Sequence, residues 1–294
     1  MNIEKRTHVQ AAIMAMAFAV LSLLSGCSSS VKYPSVTEKS TMTYNPGMVV
    51  WRDLITPDPK KASDFYRKAF GWTVEKTGTE EQPYWIFRNN GKKVAGMFEM
   101  TGAKPDAGGE WISYVSVPNV ENVAKKNSAA GGTVVKGPVE MEGRGMAALL
   151  SDPQRAVFAV IRSEGGDPQA NKEALVNEWL WSELWANDPA GAGDFYSNLL
   201  AAQIEQKQVD SITYRVVNKD NRRCSGIIQS PAIDARSYWV QYIKVSDIDA
   251  ALKKAEDAGA KVLIRPNEKI RKGSVAVLMD PTGAPFAIQL WPYQ

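Results

Sequence analysis

The chain has 294 residues, of which 44% are hydrophobic and 23% are charged, and its formal net charge at pH 7 is +3. This composition is that of a folded globular protein and excludes disorder over the whole length. The small net charge, without any cluster of basic residues, argues against a nucleic-acid-binding protein. The length allows one large domain or two domains of ordinary size.

Residues 1–26 are predicted to be an export signal. Lys5 and Arg6 give the signal a positively charged N-terminal region. Residues 11–24 form an apolar stretch that is too short to span a bilayer comfortably. The stretch ends at Leu24-Ser25-Gly26-Cys27, which resembles the bacterial lipobox. By this resemblance Cys27 becomes an acylated mature N-terminus that anchors the protein to the lipid bilayer. The alternatives are an ordinary secretory signal or a membrane anchor with a chance cysteine.

Several acyl chains anchor a protein stably, because each buried methylene contributes about 0.8 kcal/mol. The expected location is the bacterial cell envelope, and Ser28 after the cysteine favours the outer membrane facing the periplasm if the host is Gram-negative. Residues 27–46 are polar and rich in Ser and Thr, which predicts a flexible tether. The only histidine, His8, is lost with the signal. Cys224 is then a lone thiol, more typical of a semi-buried strand residue than of a reactive one.

From residue 47 onwards the pattern is a strand, a helix and three strands, repeated four times. The first strand is predicted from Met48 to Ile55, and the first helix begins with Asp58 as N-cap and Pro59 as its first residue. Three strands follow, near 73–77, 84–89 and 93–100. The next strand begins at Trp111, and helix 120–130 follows it. Further strands are predicted near 133–136, 147–151 and 157–162.

The second half of the chain repeats this plan, which indicates an internal duplication. The stretch that begins Trp51-Arg52-Asp53-Leu54 recurs 130 positions later as Trp181-Ser182-Glu183-Leu184. The segment from Trp111 to Tyr114 recurs 128 positions later, ending at Tyr242. Two domains are therefore predicted, at 47–163 and 178–294, joined by a linker at 164–177.

These repeated segments, together with Val94-Ala95-Gly96-Met97 and the motif Asp-Pro-x-x-Ala-x-Phe after each last turn, resemble the vicinal oxygen chelate superfamily. This is the glyoxalase/bleomycin-resistance/dioxygenase group, and the likeness is greatest to its tandem glyoxalase-like branch. The resemblance implies an α+β fold. Four βαβββ modules would form two tandem, cup-shaped, eight-stranded half-barrels, with helices outside.

Metal-using members of the superfamily place three ligands at fixed strand positions inside the cup. By this resemblance the positions fall on Trp51, Ile112 and Ala159 in the first domain and on Trp181, Val240 and Ala287 in the second. All six residues are apolar, so neither a metal nor any other cofactor is expected. A register shifted by two residues would offer Glu183, Tyr242 and Gln289 in the second cup, and Asp53, Tyr114 and Ile161 in the first. One carboxylate per cup is few for a divalent ion.

Two interpretations of Asp53 and Glu183 stay open. Each carboxylate is either structural, or an acid, base or polar anchor whose pKa is raised in an apolar cup, with Tyr114 or Tyr242 as its acid partner. Exchange of modules between the halves would instead combine Asp53 with Tyr242 and Glu183 with Tyr114.

The sequence therefore predicts a membrane-anchored protein that binds an unknown small organic ligand in an aromatic cup without the usual metal. Trp51 and Trp181 either plug the cups or stack against a flat or cationic ligand. The alternatives are a metal-independent lyase or isomerase that uses Asp53 or Glu183, and a non-catalytic envelope scaffold. The predicted ligand-binding residues are Trp51, Trp181, Asp53, Glu183, Tyr114, Tyr242 and Gln289.

Overall fold

A computed structural model describes residues 32–104, 107–169, 173–209, 212–231 and 236–292. Over these residues the chain is an α+β protein with two eight-stranded sheets and four α-helices, which confirms the predicted fold class. The export signal and Cys27 lie outside the described residues, so the acylation of Cys27 stays a prediction. No described helix is long and apolar enough to cross a bilayer.

The first domain consists of two modules with the same order of elements. The first module contains β1 (Val49–Thr56), α1 (Pro59–Phe70), β2 (Thr73–Gly78), β3 (Pro83–Asn89) and β4 (Lys92–Glu99). The second module contains β5 (Glu110–Ser116), α2 (Val120–Ala129), β6 (Thr133–Met141), β7 (Gly145–Ser151) and β8 (Val157–Ser163).

The second domain repeats this order. Its first module contains β9 (Trp179–Ala186), α3 (Pro189–Leu200), β10 (Gln203–Val209), β11 (Ile212–Lys219) and β12 (Arg222–Gln229). Its second module contains β13 (Tyr238–Val245), α4 (Ile248–Asp257), β14 (Lys261–Ile264), β15 (Val275–Met279) and β16 (Pro285–Leu290). A short 3₁₀ turn, Arg271–Gly273, precedes β15.

Each sheet is built from two modules that are adjacent in sequence. The strand order in the first sheet is β2-β3-β4-β1-β5-β8-β7-β6, and the second sheet has the equivalent order. In the centre of the first sheet β1 pairs antiparallel with β5, and Trp51 lies opposite Tyr114. In the second sheet Tyr242 lies opposite Trp181. Modules are therefore not exchanged, and the alternative that combined Asp53 with Tyr242 is wrong.

The helices begin where the sequence predicts. The Asp58 side chain accepts a hydrogen bond from the backbone N–H of Lys61 at 2.8 Å, and Pro59 occupies the first turn of α1. These contacts satisfy donors that a helix start leaves without partners. Asp188 caps α3 in the same way, through the N–H groups of Ala190 and Gly191.

The two domains share their hydrophobic core. Apolar residues of α1 and the first module pack with α4, β15 and β16 of the second domain. Residues of α2 and β8 pack in turn with α3 and β12. Two equivalent hydrogen bonds join the domains, from the Tyr66 hydroxyl to Asp280 and from the Tyr196 hydroxyl to Asp152, both at 3.0 Å. The helices therefore lie outside each cup but between the two sheets.

The prediction of a flexible tether is corrected for residues 32–46, which pack against the first domain. Tyr33 and Val36 are buried, with 7% and 3% of their surface exposed. The backbone N–H of Tyr33 donates to Glu142 at 2.7 Å, and that of Asn45 donates to the buried Asp167 at 2.7 Å. The polar composition of this segment concealed two apolar side chains that cover the mouth of the first cup.

Candidate functional site

The first cup is organised around a buried carboxylate. Asp53 has no exposed surface. Its carboxylate accepts hydrogen bonds from Trp51 Nε1 at 2.8 Å, from the Tyr84 hydroxyl at 2.6 Å and from Arg144 Nη1 at 3.1 Å. Tyr114 lies beside it, because β5 pairs with β1. Asp53 and Trp51 share the inner face because strand residues two apart point the same way.

Arg144 closes this cup from the turn between β6 and β7. The arginine is fully buried and forms an ion pair with Asp53. Its guanidinium lies 4.7 Å from the ring centre of Tyr84, 5.6 Å from that of Trp51 and 5.7 Å from that of Tyr33. Its Nε donates to the carbonyl of Pro34 at 3.1 Å. The charged group is therefore enclosed by aromatic faces and by the N-terminal segment.

Burial and nearby charges fix the protonation states of the tyrosines and the arginine in this cup. Burial, with the Asp53 charge adding to it, raises the pKa values of Tyr84 and Tyr114 well above 10. Burial by itself would lower the pKa of Arg144, but Tyr84 and Asp53 outweigh it and the net direction is upward. At neutral pH the tyrosines are therefore neutral donors and the arginine is a cation.

The second cup repeats the arrangement with glutamate in place of aspartate. Glu183 has no exposed surface and accepts from the Tyr214 hydroxyl at 2.7 Å, from the Tyr242 hydroxyl and from Arg271 Nη2. Arg271 Nη1 also donates to Gln289 Oε1 at 3.1 Å. Burial raises the pKa values of Tyr214 and Tyr242 well above 10, and the Glu183 charge adds to this effect.

The two cups differ at their mouths. The Arg144 side chain is 0% exposed, whereas that of Arg271 is 16% exposed. Arg271 also has a φ of +49°, in the left-handed region, which costs about 1–3 kcal/mol in a residue other than glycine. Trp181 is partly exposed and donates to the Tyr214 hydroxyl at 2.6 Å. The second cup is therefore lined at its rim by groups that a ligand can reach.

A cavity of about 870 Å³ extends from this rim to the cleft between the domains. On the side of the second cup it is lined by Trp181, Lys207, Tyr214, Arg271, Gln289 and Trp291. On the side of the cleft it is lined by Arg52, Lys92, Lys93, Trp179 and Ser182. A smaller, apolar cavity of about 80 Å³ remains inside the first cup, between Tyr33 and Tyr114.

The predicted site residues differ in whether they line a cavity. Asp53, Glu183 and Tyr242 line neither cavity, and donors of the protein itself satisfy both carboxylates. The burial of both carboxylates and their pairing within the protein favour the structural interpretation of Asp53 and Glu183. Tyr114, predicted as an acid or ligand contact, reaches only the smaller cavity.

Three predicted residues do lie on the larger cavity. Trp181 and Gln289 line its wall at the rim of the second cup, and Trp51 lines it from the first domain. Trp51 is only 3% exposed and helps to fill the first cup, whereas Trp181 is the more accessible of the two.

Sequence reasoning missed two partners of each carboxylate, one tyrosine and one arginine. Tyr84 and Tyr214 lie 130 positions apart, the same offset as Trp51 and Trp181, and this match could have revealed them. Arg144 and Arg271 lie 127 positions apart, whereas the strands that follow them are offset by 128. The shift of one position hid the equivalence of the two arginines.

A profile described as "Glyoxalase/Bleomycin resistance protein/Dioxygenase superfamily" matches residues 47–160 and 180–288, which is most of the chain. The chain belongs to this superfamily. Its relatives include the "Putative glyoxylase CFP32" of Mycobacterium tuberculosis, 29% identical over 83% of this chain and 95% of the relative. The "Anthracycline biosynthesis protein DnrV" of Streptomyces peucetius is 28% identical over 83% of this chain and 94% of its own length.

Solved structures with a similar fold include a glyoxalase and a dioxygenase. A Mn(II)-bound glyoxalase from Novosphingobium aromaticivorans matches with a TM-score of 0.55 at 12% identity, over 83% of both chains. The 2,3-dioxygenase LapB from Pseudomonas sp. KL28 matches with a TM-score of 0.56 at 13% identity, over 85% of this chain and 94% of the other. At these identities the likeness extends to the fold alone.

The residues of this superfamily member do not fit the metal that the superfamily implies. At the expected ligand positions of the first cup, Ile112 and Ala159 are apolar and buried, and Trp51 uses its ring nitrogen as a donor. No group of three His, Cys, Asp or Glu residues is placed to hold a metal ion within the described part of the chain. In each cup a guanidinium already neutralises the carboxylate and would repel a second cation.

Proposed function

We propose that this protein is a lipid-anchored, metal-independent binding protein of the bacterial envelope that holds a small organic ligand in the larger cavity. The cavity of about 870 Å³ carries this proposal, because its size lies within the range of small-molecule sites. The anchor follows from the resemblance of Leu24-Ser25-Gly26-Cys27 to a lipobox.

The walls of the cavity favour a flat ligand. Trp179, Trp181 and Tyr214 present aromatic surface there, and such rings stack against flat groups. One relative is named for anthracycline biosynthesis, and anthracyclines contain fused flat rings. The carboxylates of the two cups are not available to this cavity, which favours binding over acid–base catalysis.

A thermal-shift screen of the purified protein with flat aromatic compounds tests the binding. We expect at least one compound to raise the melting temperature, because a ligand that binds only the folded state stabilises it. The shift should persist after treatment with a chelator and should be lost in Trp181→Ala. Trp85→Ala, a matched change away from the cavity, should keep the shift. If no compound produces a shift, the proposed function is wrong.

A separate experiment tests the anchor. Cells that express the full chain are given labelled palmitate, and the membrane and soluble fractions are compared. Label should appear in the wild type and in Cys224→Ala, both in the membrane fraction. Cys27→Ala should carry no label and should lose the lipid anchor. Incorporation of label into Cys27→Ala would contradict the proposal.

A further inference from the structure

Arg52 is a buried cation without an acidic partner. It lies on β1, where its side chain crosses to the second domain and is only 9% exposed. Its Nε donates to Gln241 Oε1 at 2.7 Å and its Nη2 donates to Ser182 Oγ at 2.8 Å. The guanidinium also lies 5.1 Å from the ring centre of Trp179. All of these partners are neutral.

Among the described arginines, the fully buried Arg144 and the partly buried Arg236 and Arg271 each have a counter-charge. Arg144 pairs with Asp53 at 3.1 Å, Arg236 pairs with Glu110 at 2.5 Å, and Arg271 pairs with Glu183. Among the described residues no carboxylate lies within ion-pair distance of Arg52. A buried charge without a partner costs several kcal/mol. Consistent with this, burial lowers the pKa of Arg52 to about 9, which still leaves it charged at neutral pH.

The guanidinium of Arg52 has capacity left for a ligand. Its third nitrogen, Nη1, makes no hydrogen bond to the residues that the structure describes, and the residue lines the larger cavity beside Trp179 and Ser182. Arginine presents its donors as a planar fork that matches a carboxylate. A ligand carboxylate at this point would supply the missing counter-charge.

The charges around the cavity favour an anion. The acidic residues on its wall are already paired, since Glu178 contacts Lys92 at 3.2 Å and Glu173 contacts Lys244 at 2.6 Å. Glu38 contacts Arg88 at 3.0 Å. Of the cations on the lining, Lys207 pairs with Glu205 at 2.8 Å and Arg271 pairs with Glu183, whereas Arg52 and Arg223 form no ion pair with a described residue. A cavity with surplus positive charge concentrates anions and disfavours cations.

We propose that the larger cavity takes an aromatic carboxylate, whose anionic group pairs with Arg52 and whose ring stacks beside Trp179. This inference rests on the proposed function and adds the charge of the ligand and the residue that selects it. It excludes the cationic ligands that the aromatic lining alone would allow.

The test uses the full-length protein and two probes of nearly equal shape, 2-naphthoate and its neutral analogue 2-naphthamide. Binding is followed by calorimetry. The wild type should bind the carboxylate about tenfold or more tightly than the amide, a ratio equal to about 1.4 kcal/mol. Arg52→Gln should lose this preference and keep its affinity for the amide. Arg52→Lys, which retains a charge, should keep part of the preference.

Controls separate this inference from the proposed function. Arg265→Gln makes the same charge change at an exposed ion pair and should leave the preference unchanged. If the wild type binds both probes equally, or if Arg52→Gln keeps the preference, the role of Arg52 is wrong while the binding function stands. If neither these probes nor the compounds of the wider screen bind, both proposals fail. Should Arg52→Gln not fold, the wild-type ratio and Arg52→Lys still decide the outcome.

Discussion

Each cup contains one buried carboxylate whose environment decides its role. Asp53 and Glu183 are both 0% exposed. An ionised carboxylate is tolerated in a protein interior only where other groups replace its water. In the first cup Arg144, Tyr84 and the ring nitrogen of Trp51 do so. The carboxylates therefore hold the cups together.

Removal of the Arg144 cation should destabilise the protein, because Asp53 depends on it. We expect Arg144→Met to lower the free energy of unfolding by about 3–5 kcal/mol, because Asp53 would remain buried without its cation. Urea unfolding followed by tryptophan fluorescence measures the change. The double variant Arg144→Met, Asp53→Asn should recover part of the loss, because the buried charge is then absent.

Arg67→Met serves as the control for this prediction. Its ion pair with Asp64 is solvent-exposed, so the midpoint of unfolding should not move measurably. A small loss in Arg144→Met, similar to that of the control, would contradict the structural role of the buried pair.

The N-terminal segment 32–46 acts as part of the first domain. Tyr33 packs edge-on against Tyr84 at 6.3 Å between ring centres and lies 6.0 Å from Phe98. Thr41 donates its backbone N–H to Gly165 at 2.8 Å, which attaches the segment to the start of the interdomain linker. The first cup is thereby closed by residues outside its own modules.

Loss of this cover should destabilise the first domain. We expect Tyr33→Ala to lower the free energy of unfolding by about 3 kcal/mol, because a large buried ring leaves a cavity. Denaturant unfolding measures the loss. Met42→Ala, a change in the same segment at a side chain that is 68% exposed, should have no effect. Equal stability of both variants would show that the segment contributes nothing to the first cup.

Local elements were predictable because their signals are short in sequence. Asp58-Pro59 begins α1, and Asn90-Gly91 forms the turn between β3 and β4 with φ values of +49° and +79°, as a two-residue hairpin requires.

Strand β6 was predicted to end at Lys136 but continues to Met141. It tolerates Pro138 because it is the edge strand of the sheet, where a missing N–H is harmless.

The two domains share their hydrophobic core, and the helices lie between the sheets. Both hydrophobic clusters that surround the helices contain residues of both domains. Trp111 donates to the Tyr66 hydroxyl at 2.8 Å, and that hydroxyl donates to Asp280 of the other domain. A separated domain would therefore expose the apolar face that its partner covers.

The two halves should not fold independently. We expect fragments 32–168 and 178–294, expressed separately, to lack a cooperative unfolding transition and to bind a hydrophobic dye, because each exposes apolar surface. Mixing them should restore part of the transition. Calorimetry and dye fluorescence measure both effects. Two sharp transitions in the isolated fragments would show that the shared core is not required.

The interface between the domains should also respond to pH. Burial raises the pKa of Asp280, so the folded state retains a proton that the unfolded state has already lost. Asp280 therefore stabilises the folded protein at pH values below the pKa it has in the unfolded chain. This stabilisation is lost as the pH rises through the pKa of Asp280 in the folded protein. We therefore expect the stability of the wild type relative to Asp280→Asn to fall as the pH rises from about 4.

The exposed carboxylate of Asp64 provides a control, because its contribution to stability should change with pH in the opposite direction. The hydrogen bond and charge of Lys60 lower the pKa of Asp64, so the wild type should gain stability relative to Asp64→Asn as the pH rises. Chemical denaturation at a series of pH values measures both differences. A slope of the same sign for both variants would contradict the prediction for Asp280.

Periodicity, helix caps and the internal repeat determined the modules, the duplicated cups and the superfamily, since these signals lie within short stretches of chain. The repeat also marked Trp51, Asp53, Trp181 and Glu183 as inner residues. Most partners of the carboxylates, the cover over the first cup and the isolated charge of Arg52 were decided only by the tertiary structure. Each depends on contacts between residues far apart in sequence, and such contacts follow from how the sheets curl and how the domains pack.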